Sequence, residues 1–451
     1  AVTAMNTYAA YERKRAALVD RLRLSTASGA LALDKTTSNL FRSRRQEPRH
    51  RLDVRHFNQV LRIDASAGFA DVEGMTTYDD LVRETLRCRR MPAVVPQLKS
   101  ITVGGALAGI GIESSSFKYG FVHETVLEIE VLLSDGTIVV ATKDNEHKDL
   151  LFGFANSYGT LGYALRIKIA LVPAGAIVRL RHERYSDPDA YFDALGRVCR
   201  KRSVDFIDGT MFNGQEFYLT TGEFVERAEW LSDYTYEQIY YQSIRRRTVD
   251  YLTAQDYVWR WDTDWFWCSK HFFLQYPLMR RIWGKKRLCS RVYWKLRDRF
   301  NRSAVARRVI GLVTGRQEAV IQDVEIPLEH APDFVRFFDR EIGIRPVWMC
   351  PVAAYDRSAS FPLYPMEPQT LYVNFGFWDA VSTEHEEGYF NKLVEARVRE
   401  LQGKKSLYSN SFYSREDFWR LYNEAAYLAL KARYDPQGRL MDLYEKCVLA
   451  K

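Results

Sequence analysis

The chain has 451 residues, of which 47% are hydrophobic and 27% charged. This composition is typical of a globular protein and excludes a disordered or fibrous chain, while the length predicts two or three domains at about 150 residues each. The 65 Lys and Arg outnumber the 57 Asp and Glu, so the net charge is +8. A basic balance suits nucleic acid, an anionic membrane or an anionic cofactor and does not choose between them.

The spacing of cysteine and histidine argues against a metal site. The six cysteines form no CxxC pair, and the eight histidines form no HExxH motif. A dense disulfide framework is excluded for the same reason. We therefore predict no bound metal, reduced thiols and an intracellular protein.

The first 175 residues predict a mixed α and β structure. Residues 1–24 have the spacing of an amphipathic helix, with Leu18 and Leu22 on its apolar side. A second helix is predicted at Thr77–Arg89. Residues 126–141 read as a hairpin around an Asp-Gly turn, and Ala164–Val172 alternates apolar and polar residues as a strand does.

A stretch rich in glycine and serine, residues 100–116, separates these elements. Its glycines allow close approach of the backbone to a ligand, and successive amides can bind an anion. The stretch is not a Walker loop, because no Lys-Ser or Lys-Thr follows the last glycine. It is not a GxGxxG dinucleotide fingerprint either, because Ser114 stands where the third glycine belongs. A tight loop between two strands remains the alternative.

The middle of the chain is basic and rich in tryptophan. Residues 241–316 contain 18 Lys and Arg against five Asp and Glu, together with six of the ten tryptophans. Such a segment suits the headgroup zone of an anionic bilayer. A packed aromatic core under basic surface helices is the alternative, and stacking on nucleic acid bases is a weaker one.

After this segment the predicted elements alternate again. Strands are predicted at Ala319–Ile326, Pro346–Val352 and Thr370–Phe377, and helices at Glu329–Ile342, His385–Leu401 and Glu416–Tyr434.

The segment Pro96–Gly120 closely resembles the flavin-binding stretch of the Δ24-sterol reductase family. That family belongs to the vanillyl-alcohol oxidase/p-cresol methylhydroxylase class of FAD enzymes. The resemblance extends from about residue 50 and continues in Leu133–Gly136, Ser157–Gly162, Pro346–Pro351, Leu371–Gly376 and Ser411–Trp419. A bacterial branch that acts on methylene-branched fatty acyl chains is the nearest in pattern.

The resemblance implies an α+β fold with three regions. Residues 1–175 would form a two-subdomain FAD-binding domain of the p-cresol methylhydroxylase type. Residues 176–400 would form a substrate or cap domain with an antiparallel sheet and helices, including the membrane-facing segment 241–316. Residues 401–451 would be helices that return to the flavin.

The resemblance also implies a non-covalent FAD, because the first phosphate-binding loop of the class has no histidine here. Its expected binding residues are Ser38, Asn39, Arg42, Thr102, Val103, Gly104, Gly105, Gly109, Gly111, Glu113, Ser114, Ser115, Ser116, Gly159, Thr160 and Gly162. Family members carry a cation near the flavin at the C-terminus. Arg433 fits its spacing best, with Lys431 second, and a solvated helix end is the alternative reading.

The implied reaction is reduction of a carbon–carbon double bond in a lipid, with NADPH as donor. Protonation of an isolated alkene needs a general acid. The candidates are Tyr257, Arg260, Asp262 and His271, each of which has an alternative as a structural hydrogen-bond partner.

The implied substrate is a methylene-branched acyl chain of a phospholipid or the Δ24 bond of a sterol. The alternatives are an FAD oxidase or dehydrogenase that introduces unsaturation, and a flavin-free membrane-binding protein. We expect a cytoplasmic protein peripheral to the inner face of an anionic membrane, without the N-terminal anchor of the sterol enzymes and without nucleic acid. A homo-oligomer is left open.

Overall fold

The computed structural model describes residues 2–24, 30–36, 38, 40–42, 50–302 and 315–449. Within these residues the strands β1 to β16 are, in chain order, Leu31–Asp34, His50–Asp53, Val60–Asp64, Phe69–Glu73, Arg90–Pro92, Val126–Leu132, Ile138–Thr142, Tyr163–Pro173, Ile177–Tyr185, Phe206–Asn213, Glu216–Val225, Val249–Thr253, Gln317–Pro327, Val347–Val352, Tyr372–Ser382 and Lys404–Lys405.

The described residues also form α-helices. They are Val2–Leu24, Tyr78–Leu86, Val103–Ala108, Ser116–Tyr119, Lys148–Gly153, Pro188–Lys201, Tyr240–Ser243, Ala254–Val258, Pro277–Trp283, Ser290–Arg302, Ala331–Glu341, Tyr389–Glu400, Arg415–Tyr422, Glu424–Tyr434 and Leu443–Cys447. Short 3₁₀ helices lie at Val122–Thr125, Cys268–Phe272, Lys285–Arg287 and Leu328–His330.

The strands form two large antiparallel sheets. The first has the order β3-β4-β8-β6-β7, with β5 also paired to β8, and the second has the order β12-β9-β11-β10-β14-β15-β13-β16. A small parallel pair, β1 and β2, precedes them. The two sheets are joined directly, because β8 ends at Pro173 in the first and β9 begins at Ile177 in the second. This confirms the predicted α+β class.

The eight-stranded sheet is buried on both faces. Its central strands alternate, so that Trp348 and Trp378 pack into the core shared with the first sheet. Val347, Phe375 and Phe377 pack on the opposite face, into a separate core. The helices Pro188–Lys201, Ala331–Glu341 and Tyr389–Glu400 cover that opposite face. Runs of apolar residues without polar alternation, as in β14, are typical of such doubly covered strands.

The N-terminal helix packs as its sequence predicts. Tyr11, Leu18 and Leu22 are buried in a third cluster with residues of β1, β2 and β8. The Tyr11 hydroxyl donates to Glu130 Oε1 at 2.5 Å, which ties the helix to β6.

The C-terminal helices return to the first sheet and its loops. The Ser134 hydroxyl donates to Asp435 Oδ1 at 2.6 Å. Leu31 N donates to the Arg439 carbonyl at 3.1 Å. The first structural unit is therefore completed by residues more than 250 positions later in the chain. Among the helices described, none combines the length and the apolar character that crossing a bilayer requires.

Candidate functional site

The glycine-rich stretch begins with a helix that is fixed by its own backbone. Thr102 precedes the helix Val103–Ala108, and its hydroxyl accepts from Gly105 N at 3.1 Å. Val103 N donates to the Thr76 carbonyl at 2.9 Å, and Gly104 N to the Gly74 carbonyl at 2.8 Å. These three amides are therefore already satisfied by the protein. These amides are therefore not available to bind phosphate. The glycines can still allow a ligand to approach the backbone closely.

The amides available to a ligand lie one turn later. Ile110 N, Gly111 N and Ile112 N donate to no acceptor among the residues that the structure describes. The segment is nevertheless held in place, because Asn156 N donates to the Gly109 carbonyl at 3.2 Å and Val122 N to the Gly111 carbonyl at 2.9 Å. Buried backbone donors are rarely left unpaired. Successive free donors in a buried, glycine-containing segment therefore indicate an anion site.

The turn that follows Phe154 lies against this segment in a strained conformation. Asn156, Tyr158, Gly159 and Gly162 all have positive φ angles, of 63°, 50°, 75° and 152°. Non-glycine residues adopt this region rarely, and such strain clusters at ligand sites. Asn156 is fully buried and donates to the Leu363 carbonyl at 2.9 Å, while its Oδ1 atom has no partner in the described structure.

Two cations border this turn. Lys431 Nζ donates to the Thr160 carbonyl at 2.7 Å and pairs with Asp435 at 2.7 Å. The Arg42 guanidinium lies 4.8 Å from the centre of the Tyr158 ring and donates to the Lys446 carbonyl at 2.6 Å. The Arg42 Nε atom is buried and has no partner in the described structure. The fold thus brings two of the predicted cations, Arg42 and Lys431, to this turn.

These groups fit a flavin dinucleotide. A pyrophosphate needs backbone amides and cations. The segment with the free amides and the Arg42 guanidinium both contact the turn after Phe154, through the Gly109 carbonyl–Asn156 bond and through the Tyr158 ring. Asn156 Oδ1 adds an unpaired acceptor. Arg42, Ile110–Ile112 and Asn156 are the residues that would hold the cofactor. Lys431 was also predicted to bind it, but its ammonium group is occupied by the Thr160 and Leu440 carbonyls and by Asp435, so it fixes the turn instead. Of the remaining candidates in the first loop, Ser38 is exposed and Asn39 lies outside the described residues.

A buried ionic cluster directly follows the amide segment. Arg260 donates to Glu113 Oε1 at 3.0 Å and to Asp208 Oδ2 at 2.7 Å. The Tyr257 hydroxyl lies 2.8 Å from Ser114 Oγ, and Trp348 Nε1 donates to Asp208 at 3.1 Å. The members of this cluster are all at most 5% exposed. It joins a loop of the first sheet to β10 and β14 of the second sheet.

In this cluster the pKa values of Glu113 and Tyr257 are raised. Burial raises the pKa of Glu113, and the neighbouring Asp208 carboxylate raises it further, although Arg260 opposes both. Burial likewise raises the pKa of the Tyr257 phenol well above its usual value. Arg260 lies 4.2 Å from the centre of the Tyr257 ring, and its charge counteracts part of that rise. Tyr257 is therefore a protonated hydroxyl in a dry site.

The other predicted catalytic residues lie elsewhere. Asp262 is buried, but it accepts from Lys99 N at 2.8 Å and from the Ser290 hydroxyl at 2.5 Å, so it joins two loops. His271 has a side chain that is 51% exposed and pairs with Asp379. Neither residue contacts the Tyr257–Arg260 cluster directly in the described structure.

Arg433, the first-ranked C-terminal cation, also points away from the site. It pairs with Asp149 at 3.0 Å and is about half exposed, as the alternative of a solvated helix end implied. Lys431, the second-ranked residue, is the one that contacts the 156–162 turn.

Two of the predicted serines have structural roles. Ser115 Oγ donates to the Ala93 carbonyl at 2.6 Å, and Ser116 Oγ accepts from Glu113 N at 3.1 Å. They shape the loop that presents Glu113 and Ser114, since their hydroxyls are occupied by the protein.

Asp208 and Trp348 are site residues that the sequence analysis missed. Asp208 is the one charged residue in the strand Phe206–Asn213, whose first seven residues are all buried. A charge in a fully buried strand needs a partner, and that pattern could have identified it. Trp348 stood inside a motif of the resemblance, but nothing in its spacing predicted a contact with Asp208.

The tryptophans of residues 241–316 form a core. Five of the six are at most 7% exposed, namely Trp259, Trp261, Trp265, Trp267 and Trp294. Their rings stack on one another and on the second sheet, as Trp261 does on Phe266 at 4.6 Å and Phe266 on Trp348 at 5.3 Å. The prediction that these rings meet a bilayer is wrong, because no ring buried this way reaches one. The alternative of a packed aromatic core is confirmed for them.

The described part of the chain contains no cluster of metal-binding side chains. No group of three or more His, Cys, Asp or Glu side chains there is arranged to hold a metal ion.

Comparisons with known proteins agree with this geometry. The family model of an FAD binding domain matches residues 9–142. The Delta(24)-sterol reductase of Homo sapiens is 24% identical over 400 residues, which cover 86% of this chain and 75% of that protein. The Delta(24)-sterol reductase of Pisum sativum is 24% identical over 439 residues, covering 88% and 76%.

A more distant match is confined to one part of the chain. Cytokinin dehydrogenase 7 of Oryza sativa subsp. japonica is 30% identical over 155 residues, covering 33% of this chain and 29% of that protein. The free amides, the bordering cations and the buried cluster therefore lie in an FAD-dependent oxidoreductase that is similar to Δ24-sterol reductases over most of its length.

Proposed function

We propose that the protein reduces a carbon–carbon double bond of a lipid, with NADPH as the electron donor. The observation that carries the proposal is the extent of the similarity to the Δ24-sterol reductases. It covers 86% of the chain, whereas the FAD binding domain model ends at residue 142. The likeness therefore includes the second sheet, which provides the Asp208 side of the buried cluster, and not the cofactor unit alone.

The chemistry divides between cofactor and protein. FAD, when bound, supplies hydride transfer. An isolated alkene has no carbonyl to polarise, so the protein has to supply a proton to one of its carbons. Tyr257 is the residue best suited to this task, because its hydroxyl is buried, stays protonated and lies 2.8 Å from Ser114 Oγ, which can replace the proton.

Arg260 positions the proton donor and does not donate itself. Its guanidinium pairs with Glu113 and Asp208 and lies against the Tyr257 ring. The fixed positive charge stabilises a phenolate that has lost its proton. The buried surroundings exclude water, which would otherwise compete for the proton.

For the substrate, we propose a methylene-branched fatty acyl chain of a phospholipid, which becomes methyl-branched on reduction. The segment Thr37–Arg42 resembles that of the bacterial branch more than that of the sterol enzymes. The Δ24 bond of a sterol is the second substrate to test, since the relatives that match most of the chain are named for it.

The test is an anaerobic absorbance spectrum of the purified protein before and after NADPH is added. We expect a flavin band at roughly 450 nm that NADPH bleaches and that a methylene-acyl phospholipid restores. Loss of the band only with the lipid as reductant would overturn the proposed direction. A protein that binds added FAD but is bleached by neither compound would overturn NADPH as the donor, and reduction by dithionite confirms that its flavin is competent.

The opposite direction, dehydrogenation of a lipid or alcohol, is the second candidate. The similarity to a cytokinin dehydrogenase over 155 residues favours it, because the same cofactor unit serves both directions. A dehydrogenase is bleached by its saturated substrate and reoxidised by an acceptor. The same anaerobic titration, started with a saturated acyl phospholipid, separates the two candidates.

A further inference from the structure

The helix Pro277–Trp283 buries an arginine and exposes apolar side chains. Arg280 is fully buried and donates to the carbonyls of Leu274 at 3.0 Å and Tyr236 at 2.8 Å. Leu278 and Ile282, one turn apart, are 64% and 71% exposed. A surface helix normally buries its apolar side. Here the buried arginine turns that side outwards.

Three more large apolar side chains are exposed, one in this helix and two just before it. Phe273 is 71% exposed, Tyr276 65% and Met279 37%. We call Phe273, Tyr276, Leu278, Met279 and Ile282 the apolar patch. Its five members lie within ten residues, while the other large exposed hydrophobic residues are spread over the rest of the described chain. A contiguous patch of this kind marks an interaction surface.

The segment that carries the patch is anchored on the body of the protein. Phe272 stacks on the buried Tyr293, with ring centres 5.9 Å apart, and also contacts Trp283. Trp283 Nε1 donates to the Arg287 carbonyl at 3.1 Å. The apolar side chains are therefore displayed outwards by the fold and do not result from an unanchored loop.

The charge beside the patch is positive. Arg281 pairs with Glu237 at 2.7 Å and Lys285 with Asp233 at 3.6 Å. Lys286 and Arg287 follow directly, and neither has an acidic partner among the described residues. Apolar side chains bordered by uncompensated cations match a surface that is apolar beneath and anionic above, and basic residues near such a surface add to its binding.

We propose that the apolar patch inserts into the headgroup region of an anionic phospholipid bilayer, with Lys286 and Arg287 at the phosphates. The proposal deepens the proposed lipid reduction and rests on it for its purpose, because it states where the enzyme meets a membrane-borne substrate. A second copy of the chain fits less well, since a two-fold contact across this helix would bring the cations of both copies together.

The surface differs from the one predicted from sequence. Five of the six tryptophans of residues 241–316 are buried, and the exposed surface consists of Phe273–Ile282, which has none.

Co-sedimentation with vesicles tests the proposal without any reaction. We expect the wild-type protein to bind vesicles of phosphatidylcholine with phosphatidylglycerol, and to bind pure phosphatidylcholine more weakly. The double variant L278S/I282S should lower the partition coefficient by about tenfold or more, since two apolar side chains that would enter the bilayer are lost. The variant K286E/R287E should abolish the preference for phosphatidylglycerol, and added salt should weaken it.

The matched control is Leu428→Ser, an exposed leucine on the helix Glu424–Tyr434 with 54% exposure. It should bind vesicles like the wild type. Equal vesicle binding by L278S/I282S and the wild type would overturn the proposal, as would failure of the wild type to bind anionic vesicles. A wild-type dimer that L278S/I282S converts to a monomer would assign the patch to a second copy instead.

The two proposals can fail separately. If the patch variant loses vesicle binding but still reduces substrate dispersed in detergent, both stand. If the wild type binds vesicles without reducing any acyl chain, the surface stands and the proposed reaction fails. Melting curves of the variants confirm that they are folded, and K286E/R287E gives an independent test because it alters no packed side chain.

Discussion

At the scale of single residues, the hydroxyl of Tyr257 is the clearest target. It shares a hydrogen bond of 2.8 Å with Ser114 Oγ and lies under Arg260. We predict that Tyr257→Phe lowers turnover by about 10²–10⁴-fold, the usual contribution of a positioned proton donor. Flavin content should stay unchanged, because the residues assigned to the cofactor are untouched.

Tyr240→Phe is the matched control for that variant. Tyr240 is also buried beside Arg260, with its ring centre 5.7 Å from the guanidinium, but its hydroxyl has no partner in the described structure. Its turnover should match that of the wild type. Equal loss in both variants would show that the ring packing matters and that the Tyr257 proton does not.

Glu325 predicts a pH dependence of stability. Burial raises its pKa to about 8, and Tyr364 donates to it. Between the unfolded value of 4.5 and about 8 the folded state keeps a proton that the unfolded state releases. The contribution of this group to stability therefore falls as pH rises through that window, by about 1 kcal/mol per pH unit.

Glu325→Gln should remove this fall. Urea unfolding of both proteins at several values from about pH 5 to pH 8 measures it, and the advantage of the wild type over the variant should shrink steadily as pH rises. The exposed Glu329→Gln is the control. A difference between wild type and Glu325→Gln that does not vary with pH would contradict the assignment.

Individual site residues could be predicted where they belong to a motif of the family resemblance. Glu113 and Ser114 came from the family resemblance, and the buried cluster contains both. Arg433 was ranked above Lys431, but it is Lys431 that contacts the turn. Residues two apart lie on different sides of a helix, and the sequence does not say which side faces the turn. For the same reason, the sequence did not show that the His271 side chain is exposed.

At the scale of elements, the helix Val103–Ala108 depends on its two glycines in different ways. A Cβ atom on Gly104 would lie 2.6 Å from the Gly74 carbonyl oxygen, whereas one on Gly105 would approach only the Thr102 hydroxyl, at 3.0 Å. We predict that Gly104→Ala destabilises the fold by about 1–3 kcal/mol. Gly105→Ala should retain near-wild-type stability.

Chemical denaturation separates these two variants, and flavin content adds a second readout. If the cofactor approaches Gly105 closely, Gly105→Ala will lower the FAD bound per chain while the protein stays folded. Equal stability loss in both variants would mean that Gly104 is not confined by the Gly74 backbone.

Elements with strong periodicity were predicted well, and their interruptions were not. The strand Tyr163–Pro173 alternates buried and less buried residues as expected. A single helix was predicted at Glu416–Tyr434, but the structure divides it at Asn423, whose φ is 62°. Asparagine tolerates this conformation, and its side chain then accepts from Ala426 N to begin the next helix. An apolar period continues across such a break, so sequence alone does not reveal it.

At the scale of the whole molecule, Arg260 joins the two sheets. It contacts Glu113 from the first and Asp208 from the second at full burial. Removing it would leave two buried carboxylates without their counter-ion. We predict that Arg260→Met lowers the free energy of unfolding by about 3–5 kcal/mol.

The triple variant R260M/E113Q/D208N should recover part of that loss, because it removes the unpaired charges. Arg281→Met is the matched control: it breaks an exposed pair with Glu237 and should cost at most about 1 kcal/mol. Denaturant unfolding measures all three. A loss in Arg260→Met no larger than that in Arg281→Met would contradict the bridging role.

The arrangement of the sheets was the least predictable level. Central strands such as β14 and β15 were expected from their apolar runs, but the pairing order β10-β14-β15-β13 joins segments more than 130 residues apart. Local patterns specify that a strand is buried on both faces, not which strand lies beside it. The family resemblance, and not periodicity, predicted that an FAD-binding unit is followed by an antiparallel sheet with helices.

The return of residues 427–446 to the first sheet has a consequence for biosynthesis. Thr160 meets Lys431, Ser134 meets Asp435, and the backbone of Leu31 pairs with that of Arg439. A ribosome that has made the glycine-rich segment must still synthesise some 300 residues before these contacts form. The nascent first half therefore stays incomplete during this synthesis, exposed to chaperones and proteases, and cofactor capture should follow the synthesis of residues 431–439. Supply of FAD should thus raise the yield of the finished protein without changing the rate of its translation.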